Sequence, residues 1–233
     1  MARGLRNIKN VRSWYPDKKY VSASDENQAV IRCFNGKQHG YLVDLAAADG
    51  VTGSNSFKLI DEYHWSGLLV EPCPKHHYNL KLLYDDVDEV ELYFGAVHRE
   101  QKSLMFHELP DTYVGMSYTA KRSHGAPENC PFPIIESYNV PAENINNILE
   151  NANAPNKIDF FNLDIEGAEH EVLDVIDMEK YDIELWCIEK DTSTEILYGE
   201  NVFEDFFYSN GYEKINFQDL HISPGNNFWR KKK

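Results

Sequence analysis

The sequence predicts an α/β domain wound around a mostly parallel sheet, and three observations lead there. Short, nearly continuous apolar runs recur along the chain, as in strands covered on both faces. Helical patterns separate these runs. A length of 233 residues suits one such domain better than two. A single domain over residues 1–233 is therefore expected, with an N-terminal arm at 1–21.

In chain order, Ser22-Ala23-Ser24-Asp25-Glu26 reads as a helix start, because hydroxyl and acidic groups serve the free amides and the positive end of the helix dipole. Ala29, Val30 and Phe34 supply its apolar stripe, and Asn35-Gly36 its stop. Tyr41 to Ala46 is a first strand; Ser54 to His64 is a helix with Phe57, Ile60 and His64 on one face. Gly67 to Glu71 is a second strand. Pro74 suits a helix start, with Tyr78, Leu82 and Leu83 expected inward. Val90 to Val97 is a third strand and Ile158 to Leu163 a fourth, which leads into a helix from about Gly167 to Ile176. Ile183 to Ile188 is a fifth strand. Helix Val202–Ser209 stops at Asn210-Gly211, and strands Tyr212–Phe217 and Asn227–Arg230 flank a Pro224-Gly225 turn. Residues 98–133 stand apart: long, aperiodic and rich in Gly, Ser, Tyr and His, they read as a lid or substrate loop.

Composition excludes several classes of partner. A net charge of −15 repels phosphate-rich ligands, so no nucleic-acid partner is expected, and the basic cluster Arg230–Lys233 is assigned no role. No apolar run approaches the roughly 18 residues of a membrane span. The basic Met1–Arg6 is not followed by the apolar core of a signal peptide, so none is expected. Cys33, Cys73, Cys130 and Cys187 lack CxxC spacing, which favours reduced thiols and a cytoplasmic setting.

In doubly wound sheets a ligand lies beyond the carboxyl ends of the strands, beside the first one. That point here is Asp44-Leu45-Ala46-Ala47-Ala48-Asp49-Gly50, whose small residues admit a ligand to the backbone. Two carboxylates, Asp44 and Asp49, oppose a pyrophosphate, and neither G-x-G-x-x-G nor a P-loop lysine is present. S-adenosylmethionine, which is phosphate-free and carries an ammonium and a sulfonium, suits such a loop. Glu71 ends the second strand about 20 residues past Gly50, where an acidic group accepts both ribose hydroxyls.

The stretch Phe34 to Gly50 continued by Val51-Thr52-Gly53-Ser54-Asn55-Ser56, then Trp65-Ser66-Gly67-Leu68-Leu69-Val70-Glu71-Pro72, resembles the FkbM-type methyltransferases. So does Ile158-Asp159-Phe160-Phe161-Asn162-Leu163-Asp164-Ile165-Glu166-Gly167-Ala168-Glu169 followed by Val172-Leu173, and the blocks together span roughly residues 22–190. The resemblance implies a class I methyltransferase fold: a Rossmann-like three-layer sandwich around a mostly parallel seven-stranded sheet with one antiparallel strand near its end. It implies O-methylation of a small-molecule hydroxyl, typically on a sugar or natural product. Asp44, Ala46, Ala47, Asp49 and Gly50 then belong to the methionine half, Ser54 and Asn55 to the loop exit, Glu71 and Pro72 to the ribose, and Ala96 and Val97 to the adenine edge. The family usually has Gly where this chain has Ala46.

Methyl transfer is an in-line displacement, so a protein contributes positioning and a base or metal for the hydroxyl proton. The acidic run Asp164-Ile165-Glu166-Gly167-Ala168-Glu169-His170 leaves the fourth strand beside the cofactor loop. Asp164, Glu166, Glu169 and His170 are candidate catalytic groups, as is their neighbour Glu189, which ends the fifth strand, and Asp164 is a candidate cofactor contact as well. For Glu169 a helix-dipole role is the alternative. Asp164 with Glu189 forms a candidate site for a hard cation such as Mg²⁺. Cys73, His76 and His77 suggest zinc only weakly, because no second ligand pair accompanies them, and structural zinc is not expected. His98, His107 and His124 are further candidate bases in the lid, with an ordinary surface or core position as the commoner alternative for each; Tyr113, Met116, Tyr118 and Phe132 there either stack on an acceptor or pack the loop down. Two other functions stay open: a non-catalytic module on the same fold acting through a partner, and a nicotinamide oxidoreductase, which the loop charge opposes.

Overall fold

The computed structural model describes residues 25–109, 118–119, 134–190 and 201–233. The expected arm at 1–21, the residues Ser22–Ser24, and Tyr113, Met116, His124, Cys130 and Phe132 lie outside the described residues.

Seven strands form the main sheet: β1 (Tyr41–Leu45), β2 (Ser66–Glu71), β3 (Val90–Phe94), β8 (Lys157–Leu163), β9 (Asp182–Glu189), β10 (Tyr212–Ile215) and β11 (Asn226–Lys231). Their order is β10-β11-β9-β8-β1-β2-β3. Pairing is parallel except at β11, which runs antiparallel to both β9 and β10. The fold expected from the sequence is the one observed.

Neighbouring residues on the central strands point to opposite faces, and each face is covered. Val43, Leu68 and Phe161 pack with α4 (Ile145–Asn151), α5 (His170–Leu173) and α6 (Val202–Ser209). Leu42, Leu69 and Phe160 pack with α1 (Glu26–Cys33), α2 (Phe57–Tyr63) and α3 (Pro74–Tyr84). This is why these strands read as continuous apolar runs, and it makes the three layers.

Several local expectations are corrected. The third strand does not run to Val97. Gly95, at φ 150°, breaks it, and a Cβ there would lie 2.8 Å from the Pro141 carbonyl oxygen. The chain then enters a second, four-stranded sheet ordered β4-β7-β5-β6, made by β4 (Ala96–Val97), β5 (Ser103–Glu108), β6 (Tyr118–Thr119) and β7 (Glu136–Glu143). The stretch read as an aperiodic lid therefore contains strands. They were illegible because only one face is apolar: Leu104, Phe106, Val140 and Ala142 pack on Cys73 and Ala96 while the alternate residues are largely exposed, and Pro141 argues against a strand. Helix α4 was also missed.

His64 is exposed and ends α2 in the left-handed region, φ 57°, instead of packing inward. On α3 the buried face is His76, His77, Leu80, Leu83 and Tyr84; Tyr78 is 61% and Leu82 38% exposed, so the stripe lies one step round the helix from the expected one. The helix expected from Gly167 begins only at His170, because Glu166 (φ 58°) and Gly167 (φ 92°) turn the chain left-handed first.

Candidate functional site

A cavity of about 210 Å³ opens beyond the carboxyl ends of β1, β2 and β8. Asp44, Ala46, Ala47, Ser54, Asn55, Glu71, Pro72, Ala96, Val97, Asp164 and Glu166 line it. Two residues assigned to the cofactor do not. Asp49 folds back on its own turn, accepting from the Val51 and Thr52 amides at 2.9 and 2.7 Å and from Thr52 Oγ1 at 2.9 Å. Gly50, at φ 76°, is a packing glycine: a Cβ would come within 2.5 Å of Leu80 Cδ2. Both shape the loop from behind.

One end of the cavity is built around two buried carboxylates, Asp44 and Glu71. Asp44 pairs in register with Asn162 across β1 and β8, and Asn162 Nδ2 donates to Asp44 Oδ1 at 2.8 Å. Asn55 Nδ2 in turn donates to Asn162 Oδ1 at 3.1 Å. Burial pushes the Asp44 carboxyl up to about 6, against the hydrogen bonds from Ser56 and Asn162. Glu71 joins the loop to the second strand: Oε2 accepts from the Ala48 amide at 2.8 Å and Oε1 from the Cys73 amide at 2.7 Å. Each oxygen keeps a lone pair for a further donor. Burial raises this carboxyl to about 7, with the two amide hydrogen bonds opposing. Ser54 Oγ accepts from the Ser56 and Phe57 amides at 3.2 and 3.0 Å, which satisfies the first free amide of α2. Ala46 sits at φ 64°, the conformation for which glycine is the unstrained residue.

At the opposite end, the carboxylates of Asp164, Glu166 and Glu189 lie within 4.8 Å of one another. Asp164 and Glu166 line the cavity; Glu189 stands behind them, and its side chain passes Gly225, where a Cβ would be 3.3 Å from Glu189 Cγ. Burial, then the charges of Glu189 and Glu166, hold the Asp164 carboxyl well above the ordinary carboxylate range. Glu169 does not line the cavity. Its Oε1 accepts from the Ile165 and Gly167 amides at 3.0 and 3.1 Å, bracing the left-handed turn from within, and burial raises its carboxyl to about 7. His170 is also outside the lining: it is buried, with Nε2 3.4 Å from Glu171 Oε1.

Of the lid histidines, His98 packs against Glu171, and His107 Nδ1 lies 2.7 Å from Ser137 Oγ. Among the described residues, the acidic trio is the only group of three that could hold a metal, so Cys73, His76 and His77 make no such set.

Five polar or aromatic side chains in the lining are not among the site residues expected from the sequence: Thr52, Cys73, His76, Phe106 and Asn162. A lone Asn inside the apolar run Ile158–Leu163 is a legible signal, since a buried amide needs partners. Phe106 comes from β5 and had none.

The lining among the described residues contains acidic side chains and no Lys or Arg. An acidic lining of this kind suits a cationic, phosphate-free ligand such as S-adenosylmethionine. Fold and site thus define an S-adenosylmethionine-dependent methyltransferase. The chain belongs to the methyltransferase FkbM domain family, whose model matches residues 44–214.

No curated protein matches the chain. Among solved structures, methyltransferase FkbM from Methylobacillus flagellatus KT is similar at 15% identity and a TM-score of 0.49; the match covers 82% of this chain and 43% of that one. MtNAS in complex with MTA and tNA is similar at 13% identity and TM-score 0.43, covering 100% of this chain and 70% of that one. Precorrin-6y C5,15-methyltransferase from Geobacter metallireducens GS-15 is similar at 13% identity and TM-score 0.43, covering 91% and 89%.

Proposed function

We propose that this protein is an O-methyltransferase that acts on a hydroxyl of a small molecule, a sugar or glycosylated metabolite, within one cytoplasmic domain. The observation that carries this reading is the single cavity joining the Asp44–Glu71 end to the carboxylates at 164–166. S-adenosylmethionine supplies a methyl group already activated by its positive sulfur. Asp44 and the 46–48 backbone hold its methionine half, and Glu71 accepts from its ribose hydroxyls. Pro72, Ala96 and Val97 flank the adenine.

Asp164 takes the acceptor's hydroxyl proton. A carboxyl raised by burial and by Glu189 is a stronger base than a free one, which brings its pKa toward the pH at which it works. Glu169 and the left-handed turn at Glu166-Gly167 keep Asp164 and Glu166 at the cavity wall, so orientation supplies much of the acceleration.

A methyl-transfer assay over a panel of sugars and glycosylated metabolites, run with wild type and Asp164→Asn, tests the reading. Turnover is expected to fall at least about a hundredfold in the variant, the usual contribution of a general base. Affinity for S-adenosylhomocysteine stays within about threefold. An unaltered rate removes Asp164 from the chemistry. If S-adenosylhomocysteine does not bind at millimolar concentration, the non-catalytic module is the better account.

The spacing of Asp164, Glu166 and Glu189 favours a second reading of the same wall, a hard divalent cation such as Mg²⁺ held by carboxylate oxygens. It would polarise the acceptor hydroxyl in place of a base.

A further inference from the structure

Among the buried carboxylates outside the pocket lining is that of Glu171. Glu171 is 3% exposed, yet three basic side chains converge on it. His98 Nε2 lies 3.6 Å and His170 Nε2 3.4 Å from its Oε1; Arg99 Nε lies 3.3 Å from its Oε2. The orientation of His98 is defined by its own loop, since Nδ1 accepts from the amides of Glu100 and Gln101 at 3.1 Å each. That places the ring proton on Nε2, facing Glu171. Arg99 continues to Asp174, Nη1 to Oδ2 at 2.8 Å.

These groups come from two places that matter to the pocket. His98 and Arg99 follow directly on Val97, where the chain leaves the cavity wall to build the second sheet. His170 and Glu171 follow directly on the loop 164–169. The far end of the second sheet returns to the same point: the His98 amide donates to the Glu143 carbonyl at 3.1 Å, and Asn144 Nδ2 to the Arg99 carbonyl at 3.2 Å. Asn146 then pins α4 to the Val175 carbonyl and the Asp177 amide, at 2.7 and 2.9 Å. The root of the second sheet is therefore tied to 171–177 twice, once through a buried charge and once through an amide.

We propose that Glu171 is a positioning residue: its buried carboxylate locks the root of the second sheet onto the loop 164–169, so that the wall carrying Phe106 and the wall carrying Asp164 move as one. A buried carboxylate is stable only while its cationic and N–H partners stay in place, which makes this contact a strong constraint between the two segments. The proposal rests on the reading that loop 164–169 faces the acceptor. Glu171 touches neither end of the cavity. Its effect is expected on the relation between the walls and not on cofactor contacts at Asp44 and Glu71.

The test is hydrogen–deuterium exchange on the full chain, with and without S-adenosylhomocysteine, in wild type, Glu171→Gln, Arg99→Met and Asn146→Ala. In Glu171→Gln the amides of 164–169 and of Ser103–Glu108 are expected to exchange at least about tenfold faster. The protection that S-adenosylhomocysteine confers on Ser103–Glu108 is lost, while its affinity stays within about threefold of wild type. Arg99→Met, at a partly exposed side chain, gives the same pattern more weakly and decides the matter should Glu171→Gln fail to fold. Asn146→Ala, which cuts the other tie, raises exchange at 175–177 and moves 164–169 less than Glu171→Gln does; an equal rise at 164–169 would overturn the assignment of the lock to Glu171.

Unaltered exchange in both segments overturns the proposal. So does a uniform rise across the chain with loss of S-adenosylhomocysteine binding, which would make Glu171 a residue of the fold alone. Absence of S-adenosylhomocysteine binding in wild type is instead a failure of the functional reading, and the ligand-free exchange still reports on the lock.

Discussion

In Glu71→Gln the carboxylate proposed to accept from the ribose hydroxyls becomes an amide, and the affinity for S-adenosylhomocysteine is expected to lose most of its pH dependence. Burial raises Glu71 to about 7, so below that pH the free protein carries it protonated. A ribose diol donates to the ionised form, so binding in acid must first expel a proton. The apparent Kd then grows by a factor of 1 + 10^(pKa − pH). At pH 5 this is about a hundredfold over the alkaline plateau, or about 2.7 kcal/mol at 1.36 kcal/mol per pH unit. Asp44, raised to about 6, adds up to about tenfold at the same pH.

Titration calorimetry from pH 5 to 7.5 should therefore show the wild-type Kd weakening by up to about a thousandfold toward acid. The variant keeps only about tenfold, with its midpoint near 6. Stability of the free protein runs the other way. A carboxyl whose folded pKa lies above its ordinary 4.5 makes the folded state the better proton binder, so stability is present below pH 4.5 and is lost as pH rises to about 7. A wild-type Kd that is flat over this range, or a variant that keeps the hundredfold component, refutes the reasoning.

Three further outcomes follow from the same geometry. Ala46→Gly relieves a left-handed strain of about 1–2 kcal/mol at the cost of about 0.4–1 kcal/mol of unfolded-chain entropy, a net gain of about 1 kcal/mol. Calorimetric Tm should rise by about 2–4 °C, and a fall would contradict the assignment of strain to this residue. Gly67→Ala puts a Cβ 2.5 Å from the Leu42 carbonyl oxygen across the β1–β2 pair, so about 1–3 kcal/mol of stability is lost; an unchanged denaturation midpoint would show that the strands yield. If a cation sits at Asp164, Glu166 and Glu189, chelator abolishes turnover and Mg²⁺ restores it. Equal rates in both leave Asp164 acting as a base without metal.

Much of the fold was legible because its strands are covered on both faces. Tyr41–Leu45, Lys157–Leu163 and Asp182–Glu189 declare themselves as apolar runs, and α6 matches its expected ends, Val202 and Ser209, residue for residue. The second sheet was not legible. Its strands bury one face under a few residues, and β7 pairs with β5 across an interval that no local pattern bridges. The site divides in the same way. Glu71 and Asp164 announce themselves as acidic groups at the ends of apolar strands, and both line the cavity.

What the sequence by itself determined is the succession of the main-sheet strands along the chain, the negative, phosphate-averse character of the loop after β1, and through its motifs the family. Periodicity and charge are local properties, readable residue by residue. Only the tertiary structure decided which acidic residues face the cavity: Asp49 and Glu169 turn into their own loops, and Glu189 joins Asp164 from another strand. It alone brought His98 to Glu171. Such contacts depend on left-handed turns at Ala46, Glu166 and Gly167 and on close packing at Gly50, where backbone geometry and the space left by distant side chains set the direction of each group.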